Sequence, residues 1–315
     1  MLSFIIRRGF GMLISTILVI TITFILMQLI PGDPASVLLG SNATPEQVAQ
    51  LRTTWGLDQS MPVQFYRYFV NFVQGDLGQS LFYQKPVLQM IGQRAETSIF
   101  LGIMALFVVI GVGIPAGVIS SLTQNSWTDN VLLLVALAGA SIPSFWLGLM
   151  LMILIAGKWH LLPSSGFTSV FETGNLANLK NLILPAFSLG FVNAALVART
   201  ARSSMLDVLR ADYITTARAK GLAERVVVVK HALRNASIPI ITVISFTFAS
   251  LVSGAVVTEN VFALPGVGSL IVQSVLKRDY PMIQGIMMVV AILYVLVNFG
   301  TDLAYASLDP RIRYH

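Results

Sequence analysis

The chain has 315 residues, of which 55% are hydrophobic and only 11% charged; soluble domains carry about 25% charged residues, so there is too little polar surface here to cover a water-soluble fold. The mean hydropathy of +0.78 points the same way. A net charge of +6 could suit a nucleic-acid partner, but no RNP, zinc-finger or basic-aromatic tract supports one, and the positive-inside bias of membrane proteins accounts for the excess.

Six apolar stretches are long enough to span a bilayer, which takes about 20 residues each: 9–30, 98–122, 130–156, 182–198, 238–258 and 282–306. The fourth is the shortest. The first follows Arg7 and Arg8, as a secretory signal would. Its apolar run exceeds the roughly 7–15 residues of a signal core, and no small-x-small cleavage site closes it. Pro31-Gly32-Asp33-Pro34 follows instead, so the expectation is a retained anchor with its N-terminus in the cytoplasm.

Residues 31–96 form a long segment between the first two spans, expected outside. Thr44-Pro45-Glu46-Gln47 predicts a helix start, with Thr44 as N-cap, Pro45 in the first turn and Gln47 closing a capping box. Gly56 ends that helix. Between 61 and 74, Val63, Tyr66, Phe69, Val70 and Val73 share one helical face. A third candidate helix covers 85–96, entered through Pro86. The segment reads as a small helical cap on the external face, or else as an amphipathic stretch lying on lipid.

Proline and glycine punctuate the spans. Pro115 lies late in the second, and Gly139-Ala140-Ser141-Ile142-Pro143-Ser144 interrupts the third. A proline in hydrocarbon frees a carbonyl that protein or water must satisfy. Such breaks fit either an aqueous cavity or tight packing by small residues. On the cavity reading, Ser141, Ser144, Asn193, Ser245, Thr247 and Ser250 are candidates to line a wet pathway.

The spans hold almost no charge: Asp129, Glu259 and Asp302 lie at or near their ends. That argues against a proton relay or voltage sensor. No P-loop, HExxH, Gly-x-Ser-x-Gly or usable Ser-x-x-Lys is present, so no enzymatic site suggests itself. There is no cysteine, and His160, His231 and His315 are far apart, so no local metal motif exists.

Twelve basic residues fall on the expected inner side and eight on the outer; eight of the twelve crowd into residues 199–234. That loop is therefore expected in the cytoplasm. Residues 205–220 suit a helix ended by Gly221, and a second helix is expected from 224 to 235. Two helices meeting at Gly221 make a protruding knuckle, suited either to a groove in another protein or to contact with anionic lipid.

Asp212-Tyr213-Ile214-Thr215-Thr216-Ala217-Arg218-Ala219-Lys220-Gly221 resembles the EAA-type coupling loop of ATP-binding-cassette (ABC) importer permeases, with Thr215-Thr216-Ala217 in place of Glu-Ala-Ala. The acidic residue and a later proline of the general motif are absent. One branch, the dipeptide/oligopeptide/nickel permeases, is matched along nearly the whole chain. The matching stretches are Leu29-Ile30-Pro31-Gly32-Asp33-Pro34, Gly56-Leu57-Asp58-Gln59, Gly75-Asp76-Leu77-Gly78 and Ala217-Arg218-Ala219-Lys220-Gly221. They continue through His231-Ala232-Leu233-Arg234-Asn235-Ala236, Glu259-Asn260-Val261-Phe262, Pro265-Gly266-Val267-Gly268, Arg278-Asp279-Tyr280-Pro281 and Leu308-Asp309-Pro310-Arg311.

The resemblance implies an all-α polytopic membrane protein of about six transmembrane helices, a type I ABC importer permease with a small external helical cap. The expected layout is 1–94 for the first span and external segment, 95–306 for a five-helix core with its coupling loop at 199–236, and 307–315 for a cytoplasmic tail. Both termini are expected in the cytoplasm of a bacterium, the protein crossing its inner membrane. The implied partners are a second homologous permease, two cytoplasmic ATPase subunits that bind ATP and Mg, an external solute-binding protein and the lipid bilayer, with no nucleic acid. The chain itself is expected to bind no cofactor and to be no enzyme. Coupling to the ATPase falls to Asp212, Tyr213, Ile214, Thr216, Ala217, Lys220 and Gly221, with Tyr213 and Ile214 as apolar anchors. Short peptides are the expected substrate; nickel, glutathione and oligosaccharides are carried within the same group. A membrane scaffold or receptor that docks a signalling partner on the knuckle is the alternative of another class.

Overall fold

The computed structural model describes residues 2–29, 33–40 and 43–308. Ile30, Pro31 and Gly32 of the first motif, and Asp309 through His315 of the expected tail, lie outside the described residues. The helices are α1 (Leu2–Leu29), α2 (Pro34–Leu39), α3 (Pro45–Trp55), α4 (Met61–Val73), α5 (Val87–Leu122), α6 (Trp127–Ser141) and α7 (Ser144–Leu151). They continue as α8 (Val170–Thr173), α9 (Ile183–Leu209), α10 (Asp212–Ala219), α11 (Glu224–Val226), α12 (Arg234–Val261), α13 (Val267–Leu276) and α14 (Tyr280–Leu308). A π-helical turn, Met152–Lys158, extends α7; a 3-10 segment, Leu176–Leu182, leads into α9; another π-helical stretch, Val227–Leu233, joins α11 to α12. Among the described residues there is no β-strand, only an isolated bridge between Gln79 and Pro86.

Five helical segments are long and apolar enough to cross a membrane, and a sixth arises if α6 and α7 count as one span, bent by 103°. The break falls at Ile142–Pro143, inside the interruption read from the sequence. Three expectations are corrected. The helix entered through Pro86 is not separate: it runs from Val87 without a stop into the second span. Pro115 lies inside α5 and does not end it. The helix expected from 224 to 235 continues through the π-helical stretch into α12, giving one helical run from Glu224 to Val261.

The described chain divides into two compact units. The first comprises residues 1–95 and 269–300. Here the capping box forms as expected: the Thr44 hydroxyl accepts from the Gln47 amide at 3.3 Å, and the Thr44 amide donates to Gln47 Oε1 at 3.0 Å. Gly56 ends α3 in the left-handed conformation. Phe24 of α1 packs edge-on against Phe65 of α4 at 5.3 Å between ring centroids. Tyr68 donates to the Met288 sulfur, and burial, which disfavours the charged phenolate, pushes its hydroxyl above the ordinary range. Asp279, 1% exposed, accepts from the Ser80 hydroxyl and from the amides of Leu81 at 3.1 Å and Met282 at 3.4 Å. It holds a loop and the start of α14 together.

The second unit comprises residues 96–268 and 301–315, and α9 is its centre. Twelve of the 27 residues of α9 are buried. In its most apolar window 56% of residues are buried, against 22% for α5. Neighbouring helices come very close. A Cβ on Gly190 of α9 would lie 2.5 Å from the Ala105 carbonyl oxygen, and one on Gly117 of α5 2.5 Å from the Ala198 carbonyl oxygen. Leu101, Leu189, Val197, Leu251 and Phe262 fill the core around these contacts.

Because the contact at Gly190 is with backbone, a larger side chain cannot be accommodated by a rotamer change. Gly190→Val should lower unfolding stability by about 1–3 kcal/mol. Gly102→Val, on α5 with nothing within 4 Å of the added carbon, should leave it within experimental error. Thermal unfolding in detergent checks both.

Candidate functional site

The sequence around residue 210 suits one continuous helix, but α9 stops at Leu209 and α10 starts at Asp212. Ala211 between them is extended, with φ −74° and ψ 144°. Propensity differences among ordinary residues amount to less than about 0.7 kcal/mol each. Burying an isoleucine yields about 1.5–3 kcal/mol. The turn at Ala211 brings Ile214, fully buried, and Ala217, 8% exposed, into the core of the second unit. Burial therefore outweighs helical continuity here.

The far end of α10 is closed by Gly221 at φ 77°. The Gly221 amide donates to the Arg218 carbonyl at 2.9 Å and the Leu222 amide to the Ala217 carbonyl at 3.4 Å, the paired bonds of a Schellman stop. Arg218 and Glu224 face each other across this turn in an exposed, two-pronged ion pair of 3.1 and 2.6 Å. On the other side, Asn235 Nδ2 donates to the Tyr213 hydroxyl at 2.8 Å and to the His231 carbonyl at 3.0 Å. Thus α10 is a short helix clamped at three points. Asp212, Tyr213, Thr216 and Lys220 are exposed along it.

The candidate coupling residues therefore sit on one element, but not with one orientation. Tyr213, 43% exposed, faces outward. Ile214 does not, which corrects the expectation that both are anchors for a partner: Ile214 and Ala217 seat α10 on its own chain.

The pathway candidates are spread over four helices of the second unit. Ser141 ends α6 and is exposed, and Ser144 opens α7 and is half-buried, so the two flank the break. Asn193 lies on α9; Ser245, Thr247 and Ser250 lie on α12. Ser141, Asn193, Ser245 and Thr247 each donate to the carbonyl four residues earlier, at 2.9, 2.9, 2.8 and 2.8 Å. Such back-bonding satisfies a polar group inside an apolar helix. Thr247 is only 2% exposed and faces the protein interior, whereas Ser250 is exposed.

Three carboxylates given no role by the sequence organise this unit. Glu96 accepts from the Ser169 hydroxyl and from the Val170 and Phe171 amides at 2.6 and 3.2 Å, capping α8. Glu259, fully buried, accepts from the Ser98 hydroxyl at 2.6 Å; that same hydroxyl accepts from the Val267 amide at 2.8 Å. Asp129 pairs with Arg202 across 73 residues of sequence. Ser126-x-x-Asp129 before an apolar run carries the signature of a capping box, and the Asp129 amide does donate to the Ser126 hydroxyl at 3.3 Å. That motif locates the helix start; nothing local points to Arg202.

The model of the family described as "Binding-protein-dependent transport system inner membrane component" matches residues 113–314, and its N-terminal companion matches residues 1–102. The chain belongs to this family. It is 40% identical, over the full length of both chains, to a putative peptide transport system permease protein of Brucella abortus strain 2308. It is also 40% identical to dipeptide transport system permease proteins of Alkalihalophilus pseudofirmus, with full coverage of both chains, and of Escherichia coli K12, with 100% of this chain and 99% of that one covered. A chain of the inward-facing MetNI methionine ABC transporter matches with a TM-score of 0.58 at 17% identity, over 70% of this chain and 97% of that one. The fold is that of a type I ABC importer permease, and the chain is a multi-pass permease subunit of an ABC importer.

At Gly221 an L side chain has room but the wrong backbone conformation. Gly221→Val should loosen the end of α10 by about 1–3 kcal/mol, whereas Gly221→Asn, which tolerates the left-handed region, should stay near native. Hydrogen exchange at the Gly221 and Leu222 amides, faster in the valine variant alone, checks this.

Proposed function

We propose that this permease forms, with a second homologous permease, the path by which short peptides are imported, driven by ATP hydrolysed on two partner ATPase subunits. End-to-end similarity at 40% identity to peptide and dipeptide permeases carries the substrate reading. An external solute-binding protein delivers the peptide, as the family's description suggests. ATP and Mg belong to the partner subunits, since the sequence has no P-loop.

In this reading the membrane is the bacterial cytoplasmic membrane, both termini lie inside, residues 31–96 face outward and residues 199–234 face the cytoplasm. The concentration of basic residues in the second segment supports that orientation. Its helix α10 seats in a groove of an ATPase subunit. A half-exposed tyrosine with a charged surround has the composition of a small interface centre and its polar rim. Asp212, Thr216 and Lys220 form that rim, Ile214 and Ala217 hold the helix from behind, and Gly221 turns the chain back toward α12. Ser141, Ser144, Asn193, Ser245 and Ser250 line the wet route between the permeases; Thr247 joins them only if the helices part during transport.

Reconstitution with the partner subunits tests the whole reading. Labelled dipeptide should accumulate in proteoliposomes only with ATP, the binding protein and all subunits present. The purified chain alone should hydrolyse no ATP. Uptake of another solute class, with no uptake of peptides, would overturn the substrate assignment.

For the docking role, Tyr213→Ala should weaken ATPase assembly by about 1–2 kcal/mol, measured by co-purification against subunit concentration. Tyr213→Phe, which loses only the bond from Asn235, should assemble nearly normally. Equal assembly by native and alanine forms would leave α10 a solvated turn.

A further inference from the structure

A buried ion pair fastens the end of α9 that leads to α10. Arg202 places Nε 2.8 Å from Asp129 Oδ1 and Nη2 2.7 Å from Oδ2, the two-pronged geometry that fixes direction as well as distance. Asp129 is 1% exposed and Arg202 20%. The same carboxylate accepts from the Ser120 hydroxyl near the end of α5 and from the Asn125 amide at 2.9 Å. Asn125 takes φ 62° to present that amide. Four donors, from α5, the α5–α6 turn and α9, thus converge on the first turn of α6.

Stability alone does not explain such a group. The desolvation of a buried pair offsets most of its Coulomb attraction, and its clearest benefit is a fixed register. Its place in the fold gives that register a use. Arg202 precedes the end of α9 by about 10 Å of helix, and Asp129 lies about 18 Å from the end of α6 at Ser141, at 1.5 Å per residue. At the pair, α5 is also jammed against α9: a Cβ on Gly117 would lie 2.9 Å from the Arg202 amide. At the far end of α6 the chain turns by 103° into α7, and Pro143 has no amide with which to bridge the bend. The helices are tied together near α10, and the helical path is interrupted at Ile142–Pro143.

We propose that Asp129 and Arg202 are a positioning pair for the coupling step. They lock α6 and the α5–α6 turn to α9, so that a displacement of α10 reaches the break at Ile142–Pro143 instead of being lost as slippage between helices. The inference rests on the coupling role proposed above for α10.

The chain has no cysteine, so spin labels can be placed at Gln124→Cys and Arg210→Cys, both exposed, in the full chain in nanodiscs. One narrow distance distribution is expected for the native pair. Asp129→Asn should broaden it, and Arg202→Lys, which keeps the charge but loses the fork, should do so less. Unchanged widths in both variants overturn the proposal. In the reconstituted transporter, Asp129→Asn should cut peptide uptake per ATP hydrolysed by about tenfold, the scale of a coupling energy between sites, while ATP hydrolysis persists. Uptake and hydrolysis falling in equal proportion would mark the pair as merely structural and overturn the proposal. Should Asp129→Asn fail to insert, Asp129→Asn with Arg202→Gln leaves no unpaired charge and is read in the same way. Tyr213→Ala assembling as well as the native chain would remove the role of α10, a result separate from the distance measurement, which needs no partner.

Discussion

Close backbone approach to α9 is the constraint on which the second unit depends. In lipid the hydrophobic effect does not drive helices together, because the tails are as apolar as leucine; association comes from van der Waals packing and polar contacts. Packing gains grow as backbones approach, which requires small residues at the crossing points. On α9 these are Gly190, Ala194, Ala195, Ala198 and Ala201, all buried. Around this stem the bulky side chains fill what remains, with Leu189 of α9 and Leu251 of α12 both in the core. A helix held so closely is also a stiff one, and α10 hangs from its end.

Burying polar groups carries a second requirement. A carboxylate in an apolar interior needs hydrogen-bond donors, and the half-buried Glu96 and the buried Asp279 and Asp129 have them. Glu96 and Asp279 take backbone amides and a serine hydroxyl each; Asp129 takes an amide, a hydroxyl and a guanidinium. These clusters tie loops to helix starts, where free amides are available. The same economy appears along the spans, where serine, threonine and asparagine bond back to their own helices. Ser141, just before Ile142–Pro143, bonds back in the same way, and Ser144 opens the next helix beyond the break. A helix broken within a bilayer leaves backbone groups that protein or water must satisfy.

The loop at the end of α9 brings these themes together. Seated by Ile214, stopped by Gly221 and clamped by Asn235 at Tyr213, α10 presents little apolar surface of its own. Ile214 and the bond from Asn235 tie it to the rest of the unit, so its position follows those of α9 and α12, from which it is held.

Local chemistry made much of this legible in the sequence. Long apolar runs announced the spans, because crossing hydrocarbon requires them whatever their neighbours. Thr44 and Gln47 announced a helix start, Gly56 and Gly221 helix stops, and Pro143 a break, because each acts through backbone bonds within a few residues. Repeated short motifs along the chain were enough to name the family. Tertiary structure decided the rest. Residues 205–220 read as one helix, yet the chain bends at Ala211 so that Ile214 can be buried, and the same burial makes Ile214 an inward wedge rather than an outward anchor. Asp129 read as a helix-end carboxylate, yet its partner is Arg202, far along the chain. Backbone preferences act over one turn of helix and leave their mark in adjacent letters. Burial and ion pairing depend on which distant residues the fold brings within about 4 Å, and no stretch of sequence records that by itself.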